Sequence, residues 1–316
     1  MNLLPLLRYL ADGATDGVWD GWHITRITVG ANGLVYRASS PIADLAVKFT
    51  MRDERDRAGR EYRALQVLQQ AALNIAPQAV LLDRTSFAHP VVVQTWLEGI
   101  VRPDAPADDN EWDALIQHMA LLHTFTECKS TVSLPHAVIM ARSAEEAVQL
   151  VRQQVAHMPD AEHSAHMRLL LNRLYKMHFP MWQPPPLTLC HTDANITNFV
   201  RRQGMWAAVD WEYSGWGDPA FELADLMMHP VYMSITESRW NWVTERYVEL
   251  ARDPAVAMRI KTYRRIFAVW WVVRMQRYLF EIPRGLDKRL VSPAPDWEQS
   301  ARQKLAHYVD LAQALL

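Results

Sequence analysis

The sequence predicts an α+β protein with a small N-terminal lobe, built on an antiparallel sheet, and a larger, mainly helical C-terminal lobe. In the first hundred residues, five short segments alternate apolar and polar side chains, and one longer segment has helical periodicity. From Asp108 onward helical periodicity dominates, apart from one region with two short apolar strands. A chain of 316 residues can give each lobe its own core. We therefore expect an N-lobe over residues 1–99 and a C-lobe over residues 100–316.

The predicted N-lobe sheet has five strands and one inserted helix. Alternation places the strands at residues 22–29, 34–38, 45–49, 78–82 and 91–96. The inserted helix covers residues 52–72, where Ala58, Leu65 and Leu68 share a face with Tyr62. An amphipathic helix precedes the sheet within residues 1–13, and it lacks the basic segment of a signal peptide.

The predicted C-lobe helices cover residues 110–125, 143–155, 162–178, 220–228, 237–250, 255–281 and 296–315. A run of three prolines, at residues 184–186, ends helix formation just before the two apolar strands. Asp218 precedes Pro219 at the start of one helix, which is the pattern of a helix cap.

Composition restricts the class of protein. The formal net charge of −2 leaves no basic footprint for nucleic acid, so we expect no nucleic-acid partner. The most apolar stretch, residues 266–273, is flanked by arginines and is too short to span a bilayer, so we expect no membrane partner. Cys128 and Cys190 are the only cysteines and lack metal or redox spacing, which indicates a reducing, cytoplasmic location. The sequence does not determine an oligomeric state.

The strongest functional signal lies between residues 187 and 226. An apolar segment leads into His191-x-Asp193-x-x-x-x-Asn198, and a turn and a second apolar strand, residues 205–209, then lead to Asp210. Phosphoryl transfer needs a carboxylate that orients the attacking hydroxyl, and oxygen ligands for magnesium. Asp193 suits the first role, and Asn198 and Asp210 suit the second. His191 is expected to bond to backbone near the loop. A zinc site at His191 and Asp193 is disfavoured, because the chain nearby does not supply the full set of His and Cys ligands that zinc requires.

Two features of the N-lobe suit a bound nucleotide. Gly30 and Gly33 bracket a turn whose backbone N–H groups can approach phosphate oxygens, although most such turns only join strands. Lys48 lies inside an apolar strand, where a lysine is costly to bury unless it is paired. Glu61 is a suitable partner, and the pair could hold the α- and β-phosphates. The alternative is an edge-strand lysine and a helix glutamate that both face water.

The order of these motifs resembles the aminoglycoside phosphotransferase and choline kinase family, small-molecule kinases related to protein kinases. The resemblance covers residues 28–225 and is looser in the N-lobe, where it includes a hinge-like segment at residues 94–99. It rests on His191-Thr-Asp-Ala-Asn-Ile-Thr-Asn198, Val209-Asp-Trp-Glu212 and Gly217-Asp-Pro-Ala-Phe-Glu-Leu-Ala-Asp225. The run Asp-Trp-Glu-Tyr-Ser-Gly from Asp210 resembles bacterial choline kinases more than typical resistance enzymes.

The resemblance implies a protein-kinase-like bilobal fold and an ATP- and Mg²⁺-dependent phosphotransferase that acts on a hydroxyl group of a small molecule. Adenine would lie under Val35 and against the hinge, at Gln94 and Trp96. His191, Asn195 and Glu212 are further candidates for contacts to the substrate or behind the metal ligands.

Three positions depart from the family pattern. Asn195 stands where the family often has His or Lys, and Thr197 stands where Gly commonly precedes the Asn. Glu222 replaces the usual Asp of the Asp-Leu-Ala segment and keeps its carboxylate. The alternative function is a catalytically inactive nucleotide-binding regulatory protein of the same fold, which the retained catalytic residues disfavour. A protein kinase is disfavoured because no Ala-Pro-Glu segment follows Asp210.

The acceptor is not determined by the sequence. The chain has 13 tryptophans, and six of them lie in or after the catalytic segment: Trp211, Trp216, Trp240, Trp242, Trp270 and Trp271. Their rings could hold a cationic acceptor, such as an aminoglycoside or choline, by cation–π attraction. Alternatively, they could form part of the C-lobe core. Acidic residues that such an acceptor could use are Glu212, Glu237, Glu245, Glu281 and Asp287.

Overall fold

The computed structural model describes residues 2–27, 33–286 and 294–316. Its N-terminal part contains a helix with one buried face, α1 (Leu4–Ala11), and six strands: β1 (Gly17–Trp19), β2 (Trp22–Ile27), β3 (Gly33–Ser40), β4 (Ala43–Thr50), β5 (Ala79–Asp83) and β6 (Val91–Thr95). The strands form one antiparallel sheet in the order β1-β2-β3-β4-β6-β5. The predicted α+β class and antiparallel sheet are confirmed.

The sequence prediction missed strand β1. This strand has three residues and pairs with β2 across the turn at Asp20 and Gly21. Both turn residues have positive φ, 45° and 78°, which is the backbone of the tight hairpins that Asp-Gly favours. The strand is too short to show alternation, so the Asp-Gly pair was its only sequence signal.

The inserted helix, α2 (Arg57–Gln70), begins five residues later than the sequence predicts. Residues 51–56 form a loop instead, and Asp56 at its end has a left-handed φ of 48°, which no helix interior accommodates. The start of the helix matters because it places Arg57 and Glu61 next to the C-lobe.

The predicted C-lobe helices are confirmed, with ends shifted by a few residues. They are α3 (Asp109–Leu122), α4 (Ala144–Val155), α5 (Ala165–Lys176), α6 (Pro219–Met228), α7 (Glu237–Ala251), α8 (Val256–Glu281) and α9 (Trp297–Leu315). Asp218 caps α6 as predicted, because its carboxylate accepts a hydrogen bond from the N–H of Ala220 at 2.9 Å. Four short strands lie among these helices: β7 (Thr188–Cys190), β8 (Phe199–Val200), β9 (Ala207–Ala208) and β10 (Gly215–Gly217).

Two hydrophobic cores support the fold. One joins α1 to a face of the sheet that includes Tyr36, Val47 and Val93. The other fills the C-lobe, and it also takes in the apolar face of α2 through residues such as Leu65 and Leu68. Helix α2 is thus packed against the C-lobe although it lies within the N-terminal hundred residues. Within the described parts of the chain, no helix combines the length and apolar character needed to cross a membrane.

Candidate active site

The loop that follows β7 carries Asp193 and Asn198. Strand β7 pairs with β10, so that Cys190 lies opposite Gly215, and a Cβ on Gly215 would come within 2.4 Å of the backbone of residues 135–137. Only glycine fits there. The loop therefore follows β7, which is paired with β10 on one side. The sequence did not predict β10.

A short hairpin brings the two proposed metal ligands together. Strands β8 and β9 pair with Phe199 opposite Ala208, and the N–H of Val209 continues the ladder to the carbonyl of Asn198 at 2.9 Å. Asn198 and Asp210 consequently lie at the same end of the hairpin. Amide and carboxylate oxygens are ligands that Mg²⁺ prefers, so these two residues fit a magnesium ion.

Asp193 lies next to this pair. Its carboxylate accepts a hydrogen bond from the N–H of Asn195 at 3.2 Å. Burial, together with the nearby Asp210 carboxylate, raises the pKa of Asp193. A carboxylate whose pKa is raised holds a proton more readily, which suits a group that accepts one during a reaction.

His191 supports the loop through backbone contacts. Its Nε2 donates to the carbonyl of Val209 at 2.8 Å, and its Nδ1 accepts from the N–H of Asp193 at 3.3 Å. The ring packs edge-on against Trp211, with 4.6 Å between centroids. Both ring nitrogens are therefore engaged within the protein.

Glu222 on α6 holds the start of the same loop through its backbone. One carboxylate oxygen accepts from the backbone N–H groups of His191 at 2.6 Å and Thr192 at 2.8 Å, and the other contacts Nε2 of His123 at 2.5 Å. The His123 ring is bonded in turn to the hydroxyl of Tyr247 at 2.7 Å. Thr192 has φ of 53°, a strained conformation for a β-branched residue, and the Glu222 contacts hold it there.

His123, Cys190 and Glu222 offer three donor atoms within 4.8 Å of one another, which is the spacing of a metal site. Their chemistry does not suit one. Burial and the Glu222 carboxylate raise the pKa of the Cys190 thiol well above its ordinary value, so it stays protonated. Both imidazole nitrogens and both carboxylate oxygens already have hydrogen-bond partners. The cluster is a loop anchor.

Changing Glu222 tests this anchor. Glu222→Ala is expected to lower the free energy of unfolding by about 3 kcal/mol or more, because it removes one partner from a buried charged network. Glu222→Gln is expected to cost less than half as much, since an amide oxygen still accepts from the two N–H groups. Urea denaturation of both variants measures the difference. Equal losses would show that the loop does not depend on an acceptor at this position.

Lys48 lies between two carboxylates. Its ammonium contacts the oxygens of Glu61 at 2.8 and 2.9 Å and an oxygen of Asp210 at 2.5 Å. Burial opposes its charge, but Asp210 and Glu61 outweigh that effect and raise the pKa of Lys48 above its ordinary value. Lys48 is 8% exposed, so the alternative of a lysine facing water is wrong. The lysine is a fixed cation beside the proposed metal ligand.

The predicted nucleotide residues share one face of the N-lobe sheet. Val35 pairs with Lys48 across β3 and β4, and Gln94 pairs with Ala46 across β4 and β6. Residues two apart on a strand point to the same side, so Val35, Lys48 and Gln94 face away from the N-lobe core. Trp96 follows β6 and is stacked on the guanidinium of Arg37 at 4.6 Å.

The predicted glycine turn is only partly described. Gly30 lies outside the described residues. Gly33 begins β3, and a Cβ there would come within 2.4 Å of the carbonyl oxygen of Phe49. The close approach of two strands therefore explains Gly33 independently of any phosphate contact.

The tryptophans named from the sequence are largely core. Trp211, Trp216 and Trp240 are buried, and Trp240 stacks edge-on against Trp112. A cavity of about 710 Å³ opens beside Tyr213, and among its described lining residues Trp270 is the one tryptophan.

The acidic residues named as candidates for a cationic acceptor differ in their surroundings. Glu237 is paired with Arg264, and Glu281 is paired with Arg277. Glu245 is exposed, and Asp287 lies outside the described residues.

Glu212 is paired with a residue that the sequence analysis missed. Arg57, the first residue of α2, makes a short contact from its guanidinium to the Glu212 carboxylate, and both side chains are buried. Burial and the neighbouring Asp210 carboxylate raise the pKa of Glu212 to about 7. The spacing Arg57-x-x-Arg60-Glu61 was visible in the sequence, but nothing local indicates its partners. Glu212 is therefore a buried, paired carboxylate and does not face solvent.

The fold and the site together define a protein of the kinase-like class, in which an antiparallel sheet is followed by a helical part whose loop carries carboxylate and amide side chains. The family model described as the phosphotransferase enzyme family matches residues 23–255. The chain belongs to this family, as its motifs indicated.

Solved structures agree with the fold. A choline/ethanolamine kinase family protein from Mesorhizobium loti superposes with a TM-score of 0.62 at 19% identity, covering 99% of this chain and 95% of its own. A spectinomycin phosphotransferase in complex with ADP and spectinomycin gives 0.63 at 14%, covering 100% and 98%. A macrolide 2′-phosphotransferase from Brachybacterium faecium gives 0.61 at 17%, covering 96% and 98%. A comparison with curated protein sequences gives no significant match. The predicted protein-kinase-like bilobal fold is confirmed, with six strands in its sheet instead of five.

Proposed function

We propose that the protein is a kinase that transfers the γ-phosphoryl group of ATP to a hydroxyl group of a small molecule, with Mg²⁺ bound at the site. One observation carries the proposal: Asp193, Asn198, Asp210 and Lys48 meet in one place although they come from both lobes. The spectinomycin phosphotransferase that shares the fold is solved with ADP, which supports a nucleotide in the cleft.

The residues divide the work of an in-line transfer. Asp193 accepts the hydroxyl proton as the hydroxyl oxygen forms its bond to the γ-phosphorus. The bond from that phosphorus to the β,γ-bridging oxygen breaks, and ADP leaves with the electron pair. Asn198 and Asp210 would hold Mg²⁺, which supplies positive charge against the phosphate oxygens when bound. Lys48, held by Glu61, contacts the α- and β-phosphates, and Val35, Gln94 and Trp96 border the adenine.

Purified protein and a panel of acceptors test this function. The panel contains aminoglycosides, choline, ethanolamine and sugars, and ADP release and phosphate-ester formation are measured with and without EDTA. We expect at least one acceptor to stimulate ADP release, and EDTA to abolish it because the metal site is emptied. ADP binding without any acceptor-dependent turnover would instead support the inactive regulatory protein.

A further inference from the structure

We propose that Arg57 and Arg60 are positioning residues that hold the segment Asp210–Ser214 against helix α2, so that the proposed metal ligand Asp210 is in place before any ligand binds. The inference deepens the proposed function and rests on it for its turnover measurement. Its other measurements need only the protein, Mg²⁺ and a nucleotide.

One face of α2 carries the charged residues that turn toward the C-lobe. Arg57, Arg60 and Glu61 are spaced i, i+3 and i+4, which puts them side by side on a helix. Their exposed fractions are 3%, 8% and 0%, and such residues are seldom buried unless they have partners. Glu61 pairs with Lys48 and Arg57 with Asp53, and both arginines also contact the segment 210–214.

Each residue of that segment is bound from the N-terminal side. Asp210 contacts Lys48, which Glu61 holds, and the backbone of Trp211 interacts favourably with the Glu61 carboxylate. The remaining contacts come from three arginines. Arg57 pairs with Glu212, the hydroxyl of Tyr213 accepts from Arg55 at 2.9 Å, and the carbonyl of Ser214 accepts from Arg60 at 2.8 Å.

Arg60 also ties the segment to the loop beneath it. The same guanidinium nitrogen that reaches Ser214 donates to the carbonyl of His136 at 2.7 Å. The backbone of residues 135–138 is bonded to Tyr213 and Trp216 as well. Arg60 therefore links α2 to two neighbouring backbone segments of the C-lobe, at His136 and at Ser214.

The consequence of losing Arg57 falls on Asp210. Arg57 pairs with Glu212, two residues from Asp210, and without this contact the segment loses its attachment to the first turn of α2. Asp210 has φ of 65°, a left-handed conformation that its surroundings must maintain. Release of the segment would let that residue relax and would move the carboxylate from its place beside Asn198.

The test uses Arg57→Gln, Glu212→Gln and the double variant. Arg57→Gln is expected to raise the Mg²⁺ concentration for half-maximal ADP binding about tenfold and to lower kcat about tenfold, because a displacement of about 1 Å in a catalytic group can cost up to about 100-fold. The backbone amides of residues 210–214 should exchange hydrogen faster in the ligand-free variant. The double variant should be no worse than the poorer single variant, because the two residues act as one pair.

Arg63→Gln is the matched control, since Arg63 lies on the same helix but pairs with Asp56. It should leave Mg²⁺ dependence and exchange unchanged. If Arg57→Gln does not fold, Arg60→Lys, which keeps the charge but places a single ammonium on a shorter side chain, should show the same changes at smaller size. A folded Arg57→Gln with normal Mg²⁺ dependence, normal exchange and a lower melting temperature alone would overturn the proposal, as would additive effects in the double variant.

The two failures are distinguishable. If the unmodified protein turns over no acceptor, the proposed function fails, yet the Mg²⁺ dependence of ADP binding and the exchange rates still decide the positioning role. If turnover is present and Arg57→Gln retains it fully, the positioning role fails alone.

Discussion

Asp193→Ala is expected to lower kcat by about 10²–10⁴-fold, the range that a positioned general base contributes, while ADP binds within about twofold of the unmodified protein. The carboxylate orients and deprotonates the acceptor hydroxyl but is not needed to hold the adenine or the α- and β-phosphates. The variant should also be no less stable, because the pKa of Asp193 is raised by burial. An acid whose pKa is raised in the folded state lowers the free energy of unfolding once the pH exceeds its pKa in the unfolded chain. Removing the Asp193 carboxylate at neutral pH therefore removes this destabilising contribution.

Three measurements check this expectation: steady-state turnover, calorimetric titration with ADP and Mg²⁺, and thermal melting. Asp310→Ala on the exposed surface of α9 is the control for loss of a carboxylate. Turnover within about threefold of normal in a folded Asp193→Ala variant would show that Asp193 is not the general base. The proposal that its loop is the catalytic loop would then fail as well.

Lys48→Met is expected to lower kcat/KM for ATP by about 10²–10³-fold, the usual cost of removing one preorganised electrostatic contact. It should also lower the free energy of unfolding by about 3 kcal/mol or more, because Glu61 and Asp210 are left as adjacent carboxylates without their shared cation. The instability should grow as pH rises, since the two carboxylates then ionise against one another.

A second substitution separates the two effects of Lys48. In Lys48→Met with Glu61→Gln, one of the opposed charges is gone, so stability should recover while kcat/KM for ATP stays low. Lys261→Met, at an exposed position on α8, is the control. Recovery of turnover together with stability would mean that Lys48 supports the fold and makes no contact with the nucleotide.

Local spacing made much of the protein predictable. The interval from Asp193 to Asn198 and the strand that leads to Asp210 lie within one short stretch of chain, so their meeting follows from a single turn and hairpin. Periodicity located the C-lobe helices to within a few residues. It failed for β1, which is too short to alternate, and for the start of α2, where a left-handed residue at Asp56 interrupts a helical pattern.

The sequence by itself determined the class of fold and the residues that could perform phosphoryl transfer, because these depend on residues close together in the chain. The tertiary structure alone decided how they are supported: Arg57 with Glu212, Lys48 with Asp210 and Glu222 with His123. These pairs are separated by 155, 162 and 99 residues. A carboxylate anywhere in a chain can pair with any cation that packing brings near, and local spacing does not specify which. The packing of α2 against the C-lobe core determines which of these residues meet.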